Sequence, residues 1–348
     1  MPERGWNREN SQVNSANEGA APTLEDVAKL AGVSRATVSR VVNGGALVSP
    51  RSREAVDAAI RTLGYSPNLA ARMLVTRRSG VVGVLVPETD ARVFSDPFFA
   101  RAFRGAMEAF ATEDTHVILA MSKSGEPPER MLDYVVSGRV DGAIILSHHG
   151  TKLARAATSV TAPIAFVGNP DVEGLPYVDI DQVAAARIAT RRLIERGCAR
   201  IATVAGPLDM PAGAGRRQGF IDELSARGRR PVATLAGDFT LEGGVVAGEA
   251  LLARHPRVDG VFVASDLMAA GVVQAILRSG RQIPDDVAVI GFDDAVIARQ
   301  TVPTLTTMTN PAYELARQAG LMVHHMLAGG KRPAPLLLTS ELVSRESA

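Results

Sequence analysis

One cysteine, Cys198, and one tryptophan stand in the whole chain, and aromatic residues make up only 4% of it. A lone cysteine closes no intrachain disulfide, so the fold must hold by packing, and the thiol fits a reducing compartment. Six histidines without a partner cysteine give no zinc spacing, and no metal or other cofactor is expected. No segment reaches about 18 consecutive apolar residues, so no membrane partner is expected. The first residues lack the apolar core of a signal peptide, which points to the cytoplasm. Enzyme signatures are missing too. Gly213 and Gly215 do not extend into a dinucleotide fingerprint because position 218 is Gln, there is no phosphate-cradling G-x-x-x-x-G-K loop, and no nucleophile–base pair stands out. A non-enzyme is expected.

What remains is ordinary globular chemistry, 46% hydrophobic and 22% charged over 348 residues, enough for two or three folding units. Residues 1–21 are rich in Asn, Glu, Ser and Gly with no apolar period and read as a disordered tail. The net charge of +1 is unevenly placed. From Thr23 to Arg78 nine Lys or Arg face four Asp or Glu, whereas from Ser79 onward 27 basic residues face 30 acidic ones. A small basic head on a mildly acidic body suggests that the head meets a polyanion.

Residues 23–44 read TLEDVAKLAGVSRATVSRVVNG. Thr23 is placed to cap a helix, with Asp26 completing a box-like pair. Val27, Ala28, Leu30 and Ala31 line one face, and Gly32 breaks the helix with a tight turn. Ser34 caps a second helix with Val38, Val41 and Val42 inward. A third, about Ser52 to Leu63, brings Ala55, Val56, Ala59 and Ile60 to close a small core. The first pair is a helix-turn-helix unit. Arg35, Ala36, Thr37, Ser39, Arg40 and Asn43 are exposed on the second helix, short hydrogen-bonders and arginines suited to a DNA groove.

At these residues the chain resembles the LacI-type family of bacterial transcriptional regulators, whose DNA-binding signature the segment repeats nearly word for word. The resemblance runs from Thr23 onward and implies a double-stranded DNA operator as partner. Arg35, Ala36 and Arg40 are expected at base edges, and Thr23, Ser34, Thr37 and Ser49 at phosphates. Leu24, Tyr65, Asn68 and Arg72 complete the expected DNA contacts. Pro67 is placed to start a helix over Asn68–Leu74, too short to stand alone. The resemblance implies a hinge helix that orders on DNA, with Leu74 wedged between central base pairs; a plain linker is the alternative. One recognition helix reads only a half-site, so a homodimer on a near-palindromic operator is expected. The last residues, LVSRES and Ala348, carry no leucine heptads for a tetramer.

From Gly80 apolar runs alternate with helical stretches. Strands are expected at Val81–Val86, Val117–Ala120, Ala143–Leu146, Ile164–Val167, Ile201–Ala205, Val261–Ala264 and Val287–Ile290, with helices at Phe98–Ala111, Val183–Arg196 and Ala269–Ser279. That alternation argues for parallel sheets covered on both faces. VDGAIILS at 140–147 returns as VDGVFVAS at 258–265, an echo suggesting two similarly built lobes. The resemblance implies a two-lobed α/β sensor like a periplasmic binding protein. The fold class expected is therefore an all-α helix-turn-helix domain (22–66), a hinge (67–79) and an effector-binding and dimerisation domain (80–348). Its N-lobe would span about 80–178 and 309–337, and its C-lobe about 179–307 with the C-terminal segment.

Ligands in such sheets sit beyond the strand C-terminal ends. Phe98 and Phe99 in SDPFFAR, Arg216 in AGAGRRQGF, Phe239 after GD, Ser265 in VFVASD and Asp293 in VIGFDD are therefore the expected effector contacts. Arg216 and Phe239 also fall where the family places an effector arginine and an aromatic contact. Aromatic faces with Arg and Asp suit a sugar or sugar derivative. GPLDMPAGAGR is close to a purine-repressor pattern, but Met210 and Ala212 replace its Arg and Thr. The pairs His148–His149 and His324–His325 read as surface features, and Cys198 as a small, partly buried residue. The reading is a small-molecule-controlled regulator, a repressor, at the nucleoid. A nucleobase or a phosphocarrier protein is the alternative effector, and a solute-binding protein the different-class alternative.

Overall fold

The computed structural model describes residues 22–42, 48–66, 78–112, 114–123 and 125–348. The tail 1–21 and the expected contacts Asn43, Asn68, Arg72 and Leu74 lie outside them. The chain divides into two units, 1–77 and 78–348.

Among the described residues, the first unit holds three helices, α1 (Leu24–Ala31), α2 (Arg35–Val42) and α3 (Pro50–Leu63). Thr23 and Asp26 form a reciprocal capping box at the start of α1, and Gly32 ends it at φ +65°. Only glycine takes that backbone without a Cβ penalty, and the turn it makes sets α2 against α1. Ser34 accepts the Thr37 N–H at 3.2 Å. Val27, Ala28, Val38, Val41, Val56 and Ala59 form the core, as the apolar spacing predicts. Leu30 departs from it: at 53% exposure it belongs to the outer face. Tyr65 is buried among the same residues, and Leu24 packs on them. Both therefore have a packing role that the reading of them as DNA contacts did not include.

The second unit has two lobes of one design. The first contains β1 (Val81–Val86), α4 (Asp90–Ser95), α5 (Pro97–Glu108), β2 (His116–Met121), α6 (Asp133–Val136), β3 (Gly142–Ile145), α7 (Lys152–Ala157), β4 (Ile164–Val167) and β5 (Tyr177–Ile180). The second contains α8 (Gln182–Glu195), β6 (Ile201–Ala205), α9 (Pro211–Ser225), β7 (Ala233–Ala236), α10 (Leu241–Arg254), β8 (Gly260–Val263), α11 (Asp266–Arg278), β9 (Ala288–Asp293) and β10 (Thr306–Thr309). The chain returns to the first lobe with α12 (Ala312–Leu327) and β11 (Leu336–Leu338), then adds β12 (Leu342–Val343) to the second. The sheets run β2-β1-β3-β4-β5-β11 and β7-β6-β8-β9-β10-β12, parallel throughout except for β12. Asp179 and Ile180 thus stay in the first lobe's sheet, and Thr307 in the second's. The crossings fall at Asp181, at Asn310–Pro311 and between Leu338 and Leu342.

The sequence echo has a structural cause. Asp141, just before β3, accepts hydrogen bonds from the Ser79 N–H (2.6 Å), the Ser79 hydroxyl (2.9 Å) and the Gly80 N–H (2.8 Å). Asp259, just before β8, accepts from the Ala199 and Arg200 N–H groups at 3.1 and 2.7 Å. In each lobe the same aspartate pins the chain entering the neighbouring strand, satisfying donors that no ladder reaches.

Helices that cover the sheets pack closely enough in places to exclude a methyl group. A Cβ on Gly105 of α5 would lie 1.9 Å from the Tyr313 carbonyl oxygen of α12. Among the described residues no helix is long and apolar enough to cross a membrane.

Asp141→Ala is expected to lower stability by about 2–3 kcal/mol, because it strands two backbone donors and a hydroxyl at once. Urea unfolding of the purified chain measures it; an unchanged midpoint would show that the aspartate does not hold β1 in place.

Candidate effector cleft and DNA-facing helix

At the C-terminal ends of both sheets the strand order reverses, between β1 and β3 and between β6 and β8. Loops diverge at such points and leave a crevice. Here the two crevices face each other across a partly open pocket lined from both lobes, the setting in which small-molecule sites form. All six residues expected from the sequence line it: Phe98, Phe99, Arg216, Phe239, Ser265 and Asp293.

Arg216 is its centre. The guanidinium is 3% exposed and lies 3.6 Å above the Phe292 ring centroid. Its Nε donates to Gln182 Oε1 at 2.9 Å and its Nη1 to the Ala264 carbonyl at 2.6 Å, with Asp293 Oδ1 at 3.5 Å. Burial works against its charge, and Asp293, Asp179, Asp266 and Asp96 favour it. Gln182 also donates to Asp179 Oδ1 at 2.8 Å, and Asn310 donates to Asp293 Oδ1 at 2.9 Å. One chain of polar contacts therefore runs from Asp179 in β5 to Asn310 and passes through two of the three lobe crossings. Arg216 is structural as well as exposed to the cavity. Removing it would strand buried carboxylates, so Arg216→Ala cannot be expected to leave folding intact.

The glycines beside it explain how it gets there. A Cβ on Gly213 would stand 2.1 Å from the Pro207 carbonyl oxygen, and one on Gly219 would stand 2.2 Å from that of Val183. AGAGRRQG is thus a packing motif that lets α9 approach α8 and brings Arg216 onto Gln182.

Phe98 and Phe99 sit in the first turn of α5, edge to face at 5.4 Å. Phe99 is buried, while Phe98 keeps part of its ring accessible. Phe239 is held at φ +64°, with Arg92 5.1 Å and Arg216 6.0 Å from its centroid. Asp293 is held at φ +113°. With Ser147 at φ +56°, three non-glycine residues beside one cavity hold left-handed backbone, a strain that the surroundings must impose. Ser265 caps α11, accepting the Met268 N–H at 3.3 Å.

Several lining residues have no sequence signal of this kind. Arg92 belongs to α4, a short helix that the pattern did not show. It donates from Nη1 to the Asp238 carbonyl on the other lobe and stands 3.7 Å from Asp96. Asp96 caps α5 through the Phe98 N–H at 2.9 Å. Burial, and then the charge of Asp293, push its carboxyl up to about 6. Asp266, beneath the cavity, is pushed well above the usual carboxylate range by burial and by Asp293. His148 lines the cavity at 2% exposure, against the Phe166 ring, so it is not a surface feature. Burial holds its ring below the ordinary histidine range. His324 is also partly buried, against Phe110, whereas His325 is exposed. Cys198 is buried, its thiol pushed up to about 11 by desolvation.

On the head, Arg40 and Ala36 are exposed along α2 with Ser34 at its start. Arg35 is exposed and paired with Glu25 at 2.9 Å. Thr37 shares a hydroxyl contact with Ser34 at 2.9 Å, and Ser39 is half-buried. Thr23 and Ser49 are spent as helix caps but remain at the surface.

Comparison with known proteins bears on both regions. Residues 23–68 match the profile of bacterial regulatory proteins of the lacI family, and residues 190–348 match a periplasmic binding protein-like domain. The HTH-type transcriptional regulator CelR of Thermobifida fusca is 44% identical over 94% of this chain and 98% of its own length. The repressor CytR of Escherichia coli K12 is 33% identical over 94% of this chain and 96% of its own. Among solved structures, a CelR–cellobiose complex aligns with TM-score 0.73 at 40% identity, over 94% of this chain and all of that one. The lac repressor dimer bound to operator and an anti-inducer aligns with TM-score 0.84 at 27% identity, over 94% of this chain and 99% of that one. With a helix-turn-helix head, two lobes of matching strand order and relatives similar along nearly the whole length, the chain belongs to the LacI family of bacterial transcriptional regulators.

Proposed function

We propose that the chain is a dimeric repressor, not an enzyme, that binds a near-palindromic operator in the cytoplasm and is controlled by an uncharged saccharide, a disaccharide such as cellobiose being the first to test. The charge balance of the cleft carries this reading. Arg92 and Arg216 are each paired with a carboxylate, Asp96 and Asp293, and Asp179 adds a third acid to the lining. A phosphorylated or acidic ligand would have to displace those pairs. A neutral polyol instead uses them as alternating donors and acceptors, and the open face of Phe98 takes the apolar side of a sugar ring. The CelR–cellobiose complex supports the same class.

Calorimetric titration with cellobiose, glucose, cellobiose phosphate and hypoxanthine tests the class. Binding of the phosphate ester in preference to the neutral sugar would overturn it, and binding of hypoxanthine alone would install the nucleobase reading. Arg216→Lys keeps the charge but loses the planar fork and the stacking on Phe292. It is expected to weaken cellobiose binding about 10- to 100-fold while leaving sugar-free operator binding near wild type. An unimpaired sugar response would remove Arg216 from the site.

At the head, Arg40→Ala is expected to cost about 1–3 kcal/mol per half-site and to relax preference at one base pair. Binding competition across a set of operator variants measures this. Equal weakening on every sequence would make Arg40 a phosphate contact instead.

A further inference from the structure

His149 lies outside the cavity lining, in the loop after β3, and joins the two lobes. Its Nε2 is 3.0 Å from Glu88 Oε1 in the first lobe, and its Nδ1 is 2.9 Å from Asp209 Oδ2 in the second. The next residue adds a backbone tie, Gly150 N–H to the Asp209 carbonyl at 2.6 Å. Glu88 is fixed in turn by the Ser147 hydroxyl, which donates to the same Oε1 at 2.7 Å. An imidazole offers two N–H donors only when protonated; the neutral ring would turn a lone pair on one of the carboxylates. This bridge therefore calls for an imidazolium.

We propose that His149 is a proton-operated latch between the lobes, so that closing the cleft takes up a proton and sugar binding strengthens as pH falls. The inference rests on the proposed saccharide control of the cleft, and on the position of Asp209, which lies in the loop between β6 and α9 and moves with the second lobe. Any widening of the cleft at that loop takes one carboxylate away from the ring. The groups facing the ring are Glu88 and Asp209. Arg92 acts on Glu88, and burial holds the neighbouring His148 below the ordinary histidine range.

The Glu88 contact raises the imidazole above its ordinary value of 6.5, burial opposes it, and the Asp209 contact raises it further. With a raised value in the bridged state, the latch is fully formed below about 6.5 and is lost as pH rises through the higher one. Each unit of difference between bridged and open states is about a tenfold change in sugar affinity.

Two measurements separate this proposal from the effector reading. NMR titration of the histidine ring signals, assigned by their loss in His149→Gln, should give in the sugar-free protein, where open and bridged forms exchange, a raised value that falls in Asp209→Asn and rises further when cellobiose closes the cleft. An ordinary value, or no change in Asp209→Asn, would overturn the latch whatever the effector is. Calorimetry with cellobiose between pH 6 and 8 should then show affinity falling several-fold with pH in wild type. His149→Gln should flatten most of that slope, leaving what the titratable groups at the cavity, Asp96, His148, Asp179 and Asp266, contribute. A slope unchanged by the substitution would also overturn the proposal. Absence of cellobiose binding at every pH, with a normal NMR result, would leave the latch standing and reject that sugar.

Discussion

A buried arginine between two lobes is the constraint on which the rest of the body depends. Arg216 is almost wholly out of water, so its charge must be answered inside the protein. Asp293, Gln182, the Ala264 carbonyl and the face of Phe292 answer it from one side, and the cavity borders the other. Its carboxylate partners then need answers of their own. Asn310 donates to Asp293, and Asp266 is shared between the Thr307 hydroxyl at 2.6 Å and the Ala295 N–H at 2.8 Å. These partners come from β9, β10, the α11 terminus and the crossings. The network thus places a polar, pre-organised surface where the two lobes meet.

Much of this was legible in the sequence because periodic burial leaves a pattern. Six of the seven apolar runs read as strands lie within a residue of β1, β2, β3, β4, β6 and β8, and the seventh starts one residue before β9 and stops three short of its end. The VDG echo marked the aspartate that pins β1 in one lobe and β6 in the other. Residues at the ends of those runs, Ser265 and Asp293 among them, fell at the cavity because parallel strands all finish on one side. Less was legible where polarity hides burial. Strands β5, β7 and β10 read YVDI, ATLA and TTMT, too short or too polar for an apolar run. Arg92 and Asp96 lie in a loop-like stretch, DARVFSDP, whose two short-spaced helix starts show no apolar period. His148 reads as a surface residue because two adjacent histidines give no hint of which one turns inward.

The head shows the same division between packing and contact. Caps and inner apolar positions were readable since local chemistry decides them, and Thr23, Gly32, Ser34 and Ser49 do what their residue types favour. Contact residues are harder, since an exposed side chain has no internal partner to specify it. Tyr65 illustrates the limit. The resemblance implies a DNA contact there, and the burial of its ring adds a second role, since a small domain has few large apolar groups to close its core.

The cleft also explains why a regulator of this design can be sensitive without being unstable. Phe239 and Asp293 hold left-handed backbone beside the ligand space, and such residues cost on the order of 1–3 kcal/mol each. That cost persists only while neighbours over-determine the geometry. Asp293 is held by Asn310 at a crossing, and Phe239 fills the space that a side chain on Gly206 would need, its ring 2.1 Å from where that Cβ would stand. Each sheet keeps its own ladders, and one buried apolar cluster runs through both lobes. Under the saccharide control proposed above, ligand contacts would act through the network that Gln182 and Asn310 anchor at the crossings. A ligand needs only to prefer one lobe angle by about 1–3 kcal/mol to shift operator affinity some 5- to 150-fold, and the operator must shift ligand affinity by the same factor.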